Sequence, residues 1–211
     1  FNTFVDPTIA QDPTIISWMV AVSALATTIA TFLFGTLSDR IGKRKPFVAG
    51  GYILWGLFTI LFGTTEFITG GAAGSGSRIL LAATAVVLAD ALMSFFGSMG
   101  NDSGFNAWLN DAMTEKNGSH IGAALATQPI IGTIVGTVVG GLLIGSNDNY
   151  MRLFVVMGVL MIVFGVLAWI FMKDAPTLAP NRQGSFSKQL FSAFNFRALF
   201  RHRELVCVFL V

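Results

Sequence analysis

Charged side chains are scarce in this 211-residue chain: Asp, Glu, Lys and Arg together make up 11% of it, against roughly a quarter of a soluble domain. Apolar residues make up 54% and the mean hydropathy is +0.71. So little polar surface excludes a disordered chain and an ordinary cytosolic enzyme. Cysteine is nearly absent, and the single Cys207 excludes an internal disulfide framework. Histidine is rare as well: His120 and His202 stand far apart, with no His-Glu-x-x-His or Gly-x-Ser-x-Gly run to serve as a metal or nucleophile site. No enzyme activity, cofactor or metal is therefore expected. A net charge of +2 is too small for a nucleic-acid binder. What the chain has in quantity is phenylalanine (20) and glycine (23), a composition that suits lipid as solvent.

A bilayer core of roughly 30 Å takes about 20 apolar residues of helix. Residues 15–37, 47–63, 79–100, 121–145 and 153–172 supply such runs, and residues 205–211 open another. Residues 1–5 read as the tail of a further span. The runs are continuous, without period-two alternation, so the fold class is all-α and polytopic. The chain begins at Phe1 and ends at Val211 inside an apolar run, which reads as a piece of a longer polypeptide.

The loops set the orientation. Arg40, Lys43, Arg44, Lys45, Lys116, Lys173, Arg182, Lys188, Arg197, Arg201 and Arg203 all fall on one side, leaving Arg78 and Arg152 for the other. Positive residues stay inside, so the first set faces the cytoplasm and the cell (inner) membrane is the expected home. The sequon at Asn117 is then cytoplasmic and silent. Beyond Met172 the chain turns polar. From 185 to 200, Phe186, Leu190, Phe194 and Phe200 interleave with Lys188, Gln189, Arg197 and Arg201. This pattern fits an amphipathic helix on the membrane surface or a linker helix packed on its own protein. Residues 1–172 thus form a helical bundle, 173–203 a cytoplasmic linker, and 204–211 the start of a second bundle.

The first cytoplasmic loop carries more than charge. In Gly35-Thr36-Leu37-Ser38-Asp39-Arg40-Ile41-Gly42-Lys43-Arg44-Lys45-Pro46, a small residue precedes a carboxylate by one helical turn and admits a close neighbour. Asp39 at a helix C-terminus opposes the macrodipole unless a cation compensates. Gly42 permits the reversal and Pro46 opens the next helix. A phosphate-binding loop does not fit, because Leu37 replaces its first Gly and Arg44 its Ser or Thr.

These residues resemble the Gly-x-x-x-Asp-Arg-x-Gly-basic-basic signature of the major facilitator superfamily, which lies between that superfamily's second and third helices. The resemblance implies that the complete runs are helices 2 to 6, that helix 1 is missing, and that the basic segment after Met172 joins two six-helix halves. It also makes Gly35, Asp39, Arg40, Gly42, Lys43 and Arg44 a cytoplasmic gate motif. The continuation Gly42-Lys43-Arg44-Lys45-Pro46-Phe47 is similar to the glycoside–pentoside–hexuronide cation symporters, the melibiose permease group, and their sucrose-transporting relatives. Residues 101–117, with Trp108, Asp111 and Glu115-Lys116-Asn117, resemble the end of helix 4 in that group.

Ionisable groups at membrane depth are costly and mark function by default. Asp90, Ser94, Ser98, Asp102, Asn106 and Asn110 recur at i+4, one slowly curling polar stripe. Asp102, flanked by Asn101 and Ser103, suits proton exchange or a cation beside a sugar hydroxyl, or else a bond to a neighbouring helix. Asp90 carries the same two readings. The resemblance implies an acidic residue from helix 4 here, and Asp102 is the one that matches. The group's acidic residues on helix 2 are replaced by Thr27, Thr28 and Thr31, so the coupling cation expected is H+ in preference to Na+. Gln128 before Pro129 offers a hydrogen bond to a sugar or a packing contact. Gly132, Gly136 and Gly140 repeat at small-xxx-small spacing, which predicts tight crossings by the helix over 121–145. Trp18, Trp55 and Trp108 serve as anchors or packing groups, or stack on a sugar ring. Asp111 and Glu115 are expected near Arg40 and Lys43 as a charge cluster that opens and closes with access.

The expectation is therefore a secondary transporter of a small polar solute, a glycoside or other sugar, in symport with H+. The alternative is a carrier of the same fold for a drug, an organic acid or a lipid. A channel finds no charged ring or filter sequence.

Overall fold

The computed structural model describes residues 13–69, 76–114, 116–144, 150–175, 178–181 and 185–192. Regular structure among them is entirely helical: α1 (Pro13–Ile41), α2 (Lys45–Thr69), α3 (Gly76–Gly100), a π-helical turn (Asn101–Phe105) running straight into α4 (Asn106–Ala112), α5 (Gly118–Ile144), α6 (Tyr150–Phe171) and α7 (Phe186–Ser192). Five stretches are long and apolar enough to cross a membrane: Thr14–Ile41, Lys45–Thr65, Ala83–Ala112, Gly118–Ile144 and Tyr150–Phe171. They coincide with the apolar runs read from the sequence. The expected apolar segments at 1–5 and 205–211, Glu115 and the basic residues beyond 192 lie outside the described residues.

Two spans outrun their apolar cores. The 29 residues of α1 extend roughly 44 Å, further than the hydrocarbon thickness, so its last turn carries Ser38, Asp39 and Arg40 into a membrane interface. The third span is α3, the π turn and α4 in one piece.

Packing centres on α2, with α3 against one part of its surface and α6 against another, while α1 lies on α3. In lipid no hydrophobic force draws helices together, so close backbone approach and dispersion must do it. A Cβ added at Gly51 would sit 2.3 Å from Gly100 Cα. One at Gly56 would sit 2.4 Å from the Gly158 carbonyl oxygen, and one at Gly165 2.8 Å from that of Ala49. Aromatic pairs fill the wider parts of the same seams: Phe58 stacks on Phe96 at 4.9 Å and Phe62 meets Phe154 edge-on at 5.1 Å. Phe62, Ala83, Val86 and Ala89 form the buried core between α2 and α3.

The glycine repeat on α5 does not make the crossings expected of it. A Cβ added at Gly132 or Gly136 would meet no neighbouring atom within 4 Å among the described residues, and one at Gly140 would lie 4.0 Å from Leu153 Cδ1. Small-residue spacing licenses an approach without naming its partner. The tight crossings fall where both helices supply a gap: Gly51 with Gly100, and Gly56 with Gly158.

Candidate functional site

The turn from α1 to α2 is held open by glycine geometry and closed by arginine. Gly42 adopts φ +68, and its N–H donates to the Ser38 carbonyl at 2.9 Å, ending α1 with a left-handed residue. Two residues on, the buried Arg44 turns back under that end. Its Nη1 lies 2.6 Å from Asp39 Oδ1 and donates to Ser38 Oγ at 2.5 Å, while its Nε donates to Asp111 Oδ2 at 2.9 Å. One guanidinium thus compensates the carboxylate at the C-terminus of α1 and ties it to α4. Burial pulls the Arg44 pKa down, but its hydrogen bond to Asp111 and the charge of Asp39 outweigh it, and the group is held above the usual arginine value. Its charge is fixed.

The charge cluster expected at this end therefore forms on a different cation. Asp111 pairs with Arg44, whereas Arg40 turns outward and donates from Nη1 to Gln189 Oε1 of α7 at 3.2 Å, with Phe186 under its guanidinium at 5.9 Å. Lys43 is exposed. The cause is helical phase: Arg40 is adjacent to Asp39 on α1 and points elsewhere, while the Gly42 reversal brings Arg44 back beneath Asp39. At Gly35, one turn above, an added Cβ would lie 4.0 Å from Ser103 Cβ of the π turn.

The chain after α6 folds back onto this turn. Asp174 Oδ1 accepts the backbone N–H groups of Arg44 and Lys45 at 2.8 and 2.9 Å, capping α2 from a residue 130 positions away in sequence. The Asn181 N–H donates to the Asp39 carbonyl at 2.9 Å. Pro180 packs so tightly on Gly42 that an added Cβ would lie 2.7 Å from its nitrogen. The Trp108 indole N–H donates to the Lys173 carbonyl at 2.8 Å. Of the two sequence readings for the segment at 185–200, its described part, α7, packs against its own protein.

Within the membrane the polar stripe is broken. Ser23 of α1 donates to Asp90 Oδ2. Ser98 Oγ lies 2.6 Å from Thr31 Oγ1 and donates to the Thr27 carbonyl at 3.1 Å. The line facing α1 then continues to Ser103, whose hydroxyl bonds back to the Met99 carbonyl at 2.9 Å, and not to Asp102. The π turn inserts a residue and advances the phase, so i+4 counting fails there. Asp102 instead accepts from Asn101 Nδ2 at 3.1 Å, and Asn101 Oδ1 accepts from Tyr52 of α2 at 3.4 Å. Asn106 and Asn110 are exposed. Gln128 is exposed on α5 and lines a cavity with Tyr52, Phe105 and Trp108.

Comparison with known families settles the class to which this arrangement belongs. The model of the Major Facilitator Superfamily matches residues 1–211. The chain belongs to the major facilitator superfamily. No curated protein and no solved structure matches it. The helices are thus part of a major facilitator fold, and the protein is a multi-pass membrane transporter of small-molecule solutes. Within that frame, sequence reasoning missed Ser23, Ser38, Tyr52, Asp174 and Asn181. Ser23 was within reach, because Ser23, Thr27 and Thr31 share an i+4 face. Asp174 was not, because nothing local reveals a cap supplied from so far along the chain.

Proposed function

We propose that this major facilitator protein is a secondary carrier of a glycoside or other sugar, driven by H+ and worked by alternating access, with Arg44 as its cytoplasmic latch. The observation that carries the reading is the double pairing of Arg44 with Asp39 and Asp111. A charge bound at once to the end of α1 and to α4 stabilises one arrangement of the bundle over another, which a two-state carrier requires. The glycoside assignment rests on the Gly42-to-Phe47 run shared with the melibiose permease group. A proton in preference to Na+ is supported by the threonines of α1: Thr31 Oγ1 is already engaged by the Thr27 carbonyl and Ser98. Asp102, beside Asn101 and near Tyr52, is the carboxylate assigned to coupling, and residues 1–172 act as the N-terminal half, joined through 173–203 to a second half beginning at 204.

The test is uptake of labelled disaccharides and pentosides into vesicles carrying the full-length protein, with and without an inward proton gradient. Accumulation driven by the gradient, lost in Asp102→Asn while exchange persists, supports the assignment. Absence of sugar uptake under every gradient removes the glycoside and turns the panel to drugs, organic acids and lipids.

A further inference from the structure

A cavity on the cytoplasmic side of the bundle, as the basic residues orient it, is not suited to a sugar. It is an open cleft of about 760 Å³ between α2, the π turn with α4, α5 and the end of α6, with Val48, Tyr52, Phe105, Trp108, Phe164 and Phe171 prominent in its wall. That volume falls within the range that holds a sizeable ligand, yet the wall is almost wholly carbon. Its few polar atoms are largely spent: the Tyr52 hydroxyl on Asn101 at 3.4 Å, the Trp108 N–H on the Lys173 carbonyl at 2.8 Å. A sugar would bring many hydroxyls and find Gln128 and Lys173 to receive them. Desolvating the rest without partners is unfavourable.

Depth and charge point to a different occupant. Val48 and Tyr52 lie in the first turns of α2, Trp108 in the last stretch of the third span, and Phe171 to Lys173 at the end of α6. All are cytoplasmic ends by the distribution of positive residues, so the cavity sits in one leaflet with its rim at headgroup level. At that rim stands Lys173, exposed, without an ion pair among the described residues. The adjacent carboxylate, Asp174, is committed to the α2 N-terminus. An aromatic, aliphatic slot with one unpaired cation at its mouth is complementary to an acyl chain bearing an anionic head.

We propose that this cavity binds an anionic phospholipid of the cytoplasmic leaflet, one acyl chain between α5 and α6 and the phosphate at Lys173. The proposal rests on the membrane orientation and not on the glycoside reading. Native mass spectrometry of the full-length protein, titrated with phosphatidylglycerol or phosphatidylcholine of identical chains, tests it. Phosphatidylglycerol should be retained in preference, and Lys173→Gln should reduce that preference about fivefold, the worth of one interfacial cation, while Lys173→Arg preserves it. Ala168→Leu, narrowing the slot, should weaken both lipids without altering their ratio. Equal retention of the two lipids by the unmodified protein, or an unchanged preference in Lys173→Gln, overturns the proposal. So does displacement of the bound lipid by a transported solute, which would assign the cavity to transport instead. Because lipid retention is read without transport, failure of the glycoside assay leaves this result standing.

Discussion

Arg44 is buried, but the carboxylates it meets are not equally so: the Asp39 side chain is 53% exposed and that of Asp111 25%. Solvent screens the first pair more than the second. A double-mutant cycle on thermal stability should give about 1–3 kcal/mol of coupling for Arg44 with Asp111, and about 0.2–1 kcal/mol for Arg44 with Asp39. Equal couplings would mean that the exposure difference does not matter. Since the Arg44 pKa is raised, its contribution is complete below the unfolded value and is lost only as pH climbs past the folded one, so no physiological pH releases the latch from the arginine side. Gly42 offers a second residue-scale test. Its φ of +68 makes Gly42→Ala cost about 1–2 kcal/mol from the backbone alone, and the Cβ also meets Pro180 at 2.7 Å. Gly42→Asn, which tolerates a left-handed φ, should therefore fail to rescue transport. Rescue would show that conformation matters there and the contact with Pro180 does not.

At the scale of helices, α2 carries the bundle. Gly56→Val drives two methyl groups into the Gly158 backbone and Ile162, and should lower the melting temperature of detergent-solubilised protein by the amount expected of about 1–3 kcal/mol; an unchanged melting temperature would mean that α2 and α6 are free to separate. The five spans and the loop motif were legible in the sequence, because each is a local pattern: an apolar run, a spacing. The crossing partners were not, since Gly132 and Gly56 look alike until the facing helix is known. The π turn was hidden for a related reason. Asp90, Ser98 and Asp102 keep i+4 spacing in sequence, but the extra residue within Asn101–Phe105 passes the α1-facing position to Ser103 and turns Asp102 away. Position 102 was found as a candidate; its surroundings were not.

Across the whole molecule, the basic asymmetry predicts which ends meet the cytoplasm. In a Cys207→Ser background, an impermeant thiol reagent should label Ser119→Cys only from the cytoplasmic side and Ser146→Cys only from the opposite side; labelling of both from one side would overturn the topology. Neutralising Asp39 or Arg40 should abolish most transport while insertion persists, Asp39 through the latch and Arg40 through its bond to Gln189. Full activity in both variants would separate this end from the transport cycle. The cap on α2 has a consequence for synthesis as well. Its N–H groups at Arg44 and Lys45 wait for Asp174, and Gly56, which receives α6, waits for Gly158 and Ile162, more than a hundred positions downstream. During translation α2 therefore enters the bilayer with its principal seam unmade and its first turn uncapped. Its final docking can occur only after α6 has left the ribosome, so the stretch between α2 and α6 is the interval in which the nascent protein depends most on the insertion machinery.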